Sequence, residues 1–258
     1  MHLQLGQDAA MRGFGAHRAG DYLTQAGGLD VRNAAALVMA PEGRPEETRR
    51  LNDLVLQLHR EDERWLPLCS VHPHDGDAAL AEIDRVAEAG AKGFKLHPNT
   101  QAFDLGDERV AAVVQRIATH GVPVLFDGYS PVDPFQPGKF VKLSMGVPDA
   151  QIIIAHALGQ RFAELMVYDV LTKFPDLWSR NIWVDLSFSG ALYADSPFRE
   201  QFAWSIRRVG VDRLLLGSDY PLGGIGSALA ALDTLGFTAD EQRAIAHDNA
   251  VKLFGLDV

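Results

Sequence analysis

The feature that most constrains this chain is an alternation. Short, continuous apolar runs are separated by segments of helical period along nearly all of its 258 residues. Ala34–Met39 is apolar and ends at Ala40-Pro41; in Pro45–Arg60, Leu51, Leu54, Val55 and Leu58 follow the i, i+3, i+4, i+7 spacing of one helix face. Pro45 suits a first helical turn, and Glu46-Glu47 complement the positive end of its dipole. Trp65–Val71 is the next strand candidate, followed by a helix with Leu80, Ile83 and Ala87 on one face and Gly90 as its stop. Residues 91–98 form a strand, and a helix carrying Val110, Val113, Val114 and Ile117 runs to Gly121. Further strands are expected over 122–126, 151–155, 182–186 and 213–216. Helix faces are expected at Phe162, Leu165, Met166 and Val170, and at Phe198, Phe202, Ile206 and Val209. Two carboxyl-terminal helices span 225–235 and 239–254.

Continuous rather than alternating apolar strands imply a parallel sheet covered on both faces. Seven such strands are clear, and an eighth must be short and lie in the first few residues. The expectation is a single domain over 1–258, an α/β chain folded as one (β/α)8 barrel with a shortened first strand. A doubly wound open sheet is the alternative. The proline-rich stretch over 130–138 is expected to be a loop covering the site.

Asp and Glu total 34 against 24 Lys and Arg, a net charge of −10, which argues against nucleic-acid and anionic-membrane partners. No run approaches the length of a membrane span. The amino terminus lacks the basic start and apolar stretch of a signal peptide, so a cytoplasmic protein is expected. A homodimer is compatible with all of this. The one cysteine, Cys69, sits in an apolar run and reads as a small buried hydrophobe.

In a barrel the active site lies at the carboxyl ends of the strands. Six strands deliver an ionisable group there: His72; Lys95 and His97; Asp127; His156; Asp185 with Ser187 and Ser189; and Ser218-Asp219. His2 stands beside the first strand. Histidine with carboxylate suggests a divalent metal, or an acid–base site without one. His17, His59, His120 and His247 read as solvated or structural, and Asn249 as a backbone-bonding residue.

Four segments carry a family resemblance: AKGFKLHPNTQAF (91–103), IIIAHALG (152–159), LLLGSDYP (214–221) and HDNAVKLFGL (247–256). Over about residues 65–256 the chain resembles the metal-dependent amidohydrolases of the decarboxylase and hydratase branch, barrel enzymes similar to aminocarboxymuconate semialdehyde decarboxylase. The resemblance implies a strand-one His-x-His pair, a strand-five His and a strand-eight Asp as metal ligands, with a strand-six His as proton shuttle. His156 matches that shuttle and Asp219 that ligand. At strand five Asp127 stands where a His is expected. His2 resembles the second His of the pair, or the first with Gln4 in the place of the second.

The resemblance therefore implies one zinc or manganese ion on His2, Asp127 and Asp219. Asp219, His156 and Lys95 are the candidates for catalysis; His97, His72, Ser187 and Tyr129 are candidates for binding substrate. For Asp127 a salt bridge to Lys95 on the neighbouring strand is the competing expectation, since a lysine pointing into the mouth is costly unless paired. Carboxylation of Lys95 into a bridging ligand is a further alternative. The expected activity is hydrolysis or decarboxylation of a small carboxylated or lactone-like molecule. The alternatives are a metal-independent lactone or ester hydrolase in which Asp219 activates water, and a non-catalytic barrel serving as a binding or scaffold subunit.

Overall fold

The computed structural model describes residues 3–4 and 19–256. In chain order these form β1 (Leu3–Gln4), α1 (Ala19–Gln25), β2 (Ala34–Leu37), α2 (Pro45–Glu61), β3 (Trp65–Cys69) and α3 (Asp77–Glu88). Next come β4 (Gly93–Leu96), α4 (Glu108–Thr119), β5 (Val124–Phe126), α5 (Gln136–Gly146), β6 (Ile152–Ile154) and α6 (Met166–Leu171). The chain continues through β7 (Ile182–Asp185), α7 (Ser189–Ala194), α8 (Arg199–Val209), β8 (Leu214–Leu215), α9 (Ile225–Thr234), α10 (Ala239–Arg243) and α11 (Asn249–Phe254). The strands lie in sequence order β1 to β8, each parallel to the next. This is a TIM-barrel-like α/β arrangement, and its first strand is as short as expected.

Each strand divides its side chains by parity. Ala36, Cys69, Phe94, Phe126, Ile154 and Val184 join the layer beneath the helices. Ala35, Leu37, Leu66, Leu68, Leu125, Ile153, Ala155, Trp183 and Leu215 form a separate inner cluster, against which Ala250, Leu253, Phe254 and Leu256 pack. Burial on both faces is why these strands read as unbroken apolar runs. Lys95 has the inner parity, paired with Leu125 on β5. Two residues onward, about 6.6 Å further along the strands, the same parity brings up His97, Asp127, Asp185 and Gly217.

Helices end where expected: Gly90 (φ 98°) follows α3 and Gly121 (φ 69°) follows α4, a left-handed conformation that glycine adopts without a Cβ penalty. Cys69 is fully buried, and burial raises its thiol pKa. Asn249 Nδ2 donates to the carbonyls of Val211 and Leu214, closing α11 onto β8 as a backbone-bonding residue should. No helix among the described residues is long and apolar enough to cross a membrane.

Two helix faces differ from expectation. Met166 and Val170 are exposed, while Leu165 and Tyr168 are buried. Residues after β6 turn through left-handed backbone before α6 starts at Met166, and its buried face is set by Tyr168 stacking on Trp178 at 5.5 Å. Phe198 is 57% exposed because α8 begins at Arg199, after it. An additional short helix, α7, intervenes, and its Tyr193 stacks on Phe202 of α8 at 4.8 Å.

Candidate active site

The carboxyl ends of β4 to β8 carry a connected set of charges. Asp127, just past β5, is its centre: its Oδ2 lies 3.2 Å from His97 Nε2 and 3.4 Å from His156 Nε2. Its Oδ1 accepts the Tyr129 N–H at 3.0 Å. The expected Lys95–Asp127 salt bridge does not form. The Lys95 ammonium has no hydrogen bond or ion pair within 4.0 Å among the described residues; it lies in the combined field of Asp127, Asp219 and Asp185. Lys95 belongs to the layer below, level with Leu125, and His97, which leaves β4 at Asp127's own level, and His156, from just past β6, reach the carboxylate first.

Hydrogen-bond partners assign the two rings opposite states. His156 Nδ1 faces the Ser187 carbonyl at 3.2 Å and its Nε2 faces the Asp127 carboxylate at 3.4 Å; both of these partners accept, an arrangement that favours the doubly protonated ring. Ser187 Oγ, 3.1 Å from the same Nδ1, donates onward to Asp185 Oδ2 at 3.0 Å. His97 Nδ1 instead accepts the Thr100 N–H at 3.4 Å, leaving Nε2 as its single N–H. That ring is neutral.

The titration behaviour has the same causes. Burial alone would lower His156, but the hydrogen bond to Asp127 and the charges of Asp219 and Asp127 outweigh it and raise its pKa to about 9. Burial dominates at His97, and despite the pull of Asp127 its pKa falls to about 4. Asp127 is opposed by burial too, yet the hydrogen bond from His156 and the charges of Lys95 and His156 hold it well below the usual carboxylate range. Two like groups with pKa values pushed apart are the mark of an acid–base pair.

Backbone strain is concentrated at the same place. His156, Ala157, Leu158 and Asp219 all have positive φ near 47–62° without being glycine, a conformation that costs on the order of 1 kcal/mol each and collects at functional sites. Glycines let the strand ends close. A Cβ on Gly217 would overlap Asp185 Oδ1 and lie 2.6 Å from Ser187 Cβ. Gly217→Ala is therefore expected to push β8 off β7, costing about 1–3 kcal/mol by overpacking and releasing Asp185 from Ser187. Gly226→Ala on α9 meets nothing within 4 Å and is expected to stabilise by roughly 0.5–1 kcal/mol. Paired urea melts check both signs.

Other expected residues stand apart. His72 is buried, but its Nε2 bonds the Gln101 carbonyl at 2.6 Å and its Nδ1 accepts the His74 N–H at 3.2 Å, so it organises a loop and does not join the cluster. Ser189 Oγ turns to the Ser187 carbonyl at 3.4 Å. The Tyr129 ring is the group a Cβ on Gly159 would strike, which packs the β5 and β6 loops together. His59 bonds the Trp65 carbonyl, and His120 and His247 pair with Asp84 and Asp248, structural as expected. His2 and His17 lie outside the described residues. Gln101 was not anticipated: its Oε1 accepts the His97 N–H at 2.8 Å and its Nε2 donates to the carbonyls of Ala40 and Val71, tying three loops to one side chain. Its place in the His-Pro-Asn-Thr-Gln run was the available signal.

For a metal, the donors matter more than the residue types. Among the described residues, Glu42, His72 and His74 form the group of three whose ligand atoms lie within 4.8 Å of one another. Both His72 nitrogens are already engaged, and His74 Nδ1 is 2.9 Å from Glu42 Oε1, so an ion there would have to displace these bonds. At the β4–β8 ends the described candidates for a ligand set are Asp127 and Asp219, beside His97 and His156, whose ring nitrogens face Asp127, Thr100 and Ser187; a ring binds a metal through a nitrogen free of hydrogen.

Comparison with known proteins defines the class. A family model described as amidohydrolase matches residues 1–256, and the chain belongs to the amidohydrolase family, enzymes that act as hydrolases or lyases. No curated protein matches it. Among solved structures, 5-carboxyvanillate decarboxylase from Sphingomonas paucimobilis is 18% identical with a TM-score of 0.70, covering 94% of this chain and 84% of that one. The 2,6-dihydroxybenzoate decarboxylase from Rhizobium is 17% identical with a TM-score of 0.72, covering 94% and 90%. A dihydroxybenzoic acid decarboxylase from Polaromonas, with bound manganese and 2-nitroresorcinol, is 16% identical with a TM-score of 0.71, covering 93% and 87%. Of the two ions expected from the sequence, manganese is the one this neighbour carries; zinc finds no support.

Proposed function

We propose that this amidohydrolase is a lyase that decarboxylates a small carboxylated aromatic molecule, at the mouth of a (β/α)8 barrel closed between β8 and β1. The observation that carries the reading is the place of His156 between the Asp127 carboxylate and the Ser187 carbonyl, two acceptors that favour its protonated form. Loss of CO2 leaves an electron pair on the substrate carbon, and that carbon needs a donor that still holds its proton at neutral pH. In the step, the C–CO2 bond breaks, its electrons stay on carbon, and the Nε2 proton of His156 moves to that carbon. CO2 departs and His156 is reprotonated from water. Lys95 supplies a cation for the substrate carboxylate, and His97, Tyr129 and Ser187 line its approach. Neighbours that act on carboxyvanillate and dihydroxybenzoate support the substrate class.

Asp219 favours a second reading. Its carboxylate acts on both His156 and Lys95, a placement suited to activating water against a lactone or ester. A panel of carboxylated phenols and aryl lactones separates the two. Release of labelled CO2 supports the lyase. No CO2, with lactone opening that Asp219→Asn reduces about 100-fold or more, would replace it with the hydrolase.

A further inference from the structure

Apart from the Asp127 cluster, a second group of nitrogen and oxygen donors sits past the carboxyl ends of β2 and β3. It joins Glu42, in the loop between β2 and α2, to His72 and His74, which flank Pro73 where the chain turns after β3. One ligand atom from each residue lies within 4.8 Å of the other two. The two rings meet edge to face, 4.9 Å between centroids. His72 is buried, His74 partly buried and Glu42 exposed, so an ion would enter from the Glu42 side. The partners of each ring show which nitrogen would bind it. His72 Nε2 bonds the Gln101 carbonyl at 2.6 Å, and since a carbonyl accepts, Nδ1 is the nitrogen with the lone pair. That lone pair accepts the His74 N–H at 3.2 Å, a long bond within one turn. His74 Nδ1 lies 2.9 Å from Glu42 Oε1, and its Nε2 lies 3.8 Å from Asp107 Oδ2. A carbonyl behind one ring and a carboxylate near the other are the outer partners that orient metal-binding histidines. The two loops already meet without an ion, because the Gly43 N–H donates to Asp75 Oδ1 at 2.8 Å.

We propose that Glu42, His72 and His74 bind one divalent ion of the zinc kind, through the Glu42 carboxylate and the Nδ1 atoms of both rings, with water completing its shell. Two imidazoles and one carboxylate suit zinc, nickel or copper better than manganese or magnesium, which prefer oxygen alone. Two hydrogen bonds give way to the ion: that between His74 Nδ1 and Glu42, and the long one from the His74 N–H to His72. The His74 ring hydrogen passes through solvent from Nδ1 to Nε2, where it faces Asp107, so the ring stays neutral. Ligand atoms around zinc stand about 3.3 Å apart, and the exposed Glu42 side chain is the one with room to close in. Gln101 extends the consequence. Its carbonyl holds His72 while its Oε1 accepts the His97 N–H at 2.8 Å. The ion would therefore clamp the β2 and β3 loops to the loop that mounts His97.

The test reads bound metal and needs no substrate, so its outcome is independent of whether the protein is a lyase or a hydrolase. Wild type, Glu42→Gln, His74→Gln and Asp219→Asn are stripped with chelator, exposed to zinc, exchanged into metal-free buffer and analysed. The expected result is one zinc equivalent that wild type and Asp219→Asn share and that Glu42→Gln and His74→Gln lack. Affinity in those two should fall about 100-fold or more, beyond what changing an outer partner costs. The wild-type melting temperature should rise with the logarithm of zinc concentration. A wild type that retains no zinc overturns the proposal, as does zinc that survives in His74→Gln or is lost in Asp219→Asn alone. Should a variant fail to fold, the ring nitrogen resonances of wild type decide. Zinc that shifts Nδ1 of His72 and His74 supports the site; zinc bound with both unmoved overturns it.

Discussion

Asp127→Asn is expected to cost about 3–5 kcal/mol of stability, the loss typical of a buried ion pair deprived of one partner. The substitution keeps the shape of the side chain and removes its charge. His156 would then be a buried imidazolium facing an amide, and burial, which already opposes its charge, would prevail. Its pKa should fall from about 9 to below the ordinary 6.5, releasing a proton at neutral pH and leaving Nε2 without its acceptor. His97 would lose the carboxylate that its single N–H addresses. Urea denaturation and histidine-resolved NMR titration read the two effects separately. A variant as stable as wild type to within about 0.5 kcal/mol, with His156 still titrating near 9, would show that Asp127 is not the organising charge.

The same three groups set how stability depends on pH. His156 has a folded pKa above its ordinary value, so its contribution is complete below about 6.5 and is lost as pH rises through about 9. His97 is displaced the other way: its contribution is present above 6.5 and is lost as pH falls through about 4. Asp127, lowered, adds to the loss on the acid side. A stability maximum between these limits is expected, with His97 and Asp127 giving way together in acid; denaturation midpoints across pH 3 to 10, where each group's titration lies, check it.

Much of this was legible in the residues because periodicity reports burial directly. The strand runs and the faces of α2, α3 and α4 follow from which positions are apolar, and strand parity then delivers Lys95, His97, Asp127 and Asp185 to one end. Pairing within that end was not legible. Neighbouring strands say that Lys95 and Asp127 come near each other, but Lys95 is level with Leu125 while His97 leaves its strand at the level of Asp127. That one-layer offset decides which base meets the carboxylate. His156 depended on three successive left-handed residues, Ala157 and Leu158 among them, none of them a glycine or asparagine. Met166 and Val170 were misplaced for the same reason, since an irregular turn resets the phase of the helix after it. Gln101 and the Glu42–His74 contact join loops distant in sequence, and local patterns hold no record of such contacts.

His156→Gln is expected to lower kcat by 10²–10⁴, the range for removing a positioned proton donor, with little effect on folding beyond the lost ion pair. Glutamine keeps a hydrogen-bond donor toward Asp127 but cannot release a proton to carbon. The pH profile carries the stronger test. If His156 must be protonated to act, wild-type kcat falls as pH rises through about 9, tracking the loss of its imidazolium, and this alkaline limb disappears from whatever activity the variant retains. Neutral His97 cannot substitute, because its Nδ1 accepts from Thr100 and its pKa near 4 leaves it without a spare proton at neutral pH. An alkaline limb that survives in His156→Gln, or activity within tenfold of wild type, would move the donor elsewhere. Asp219, whose carboxylate acts on both His156 and Lys95, would then be the group to test as a base, and the hydrolase reading would be the one left standing.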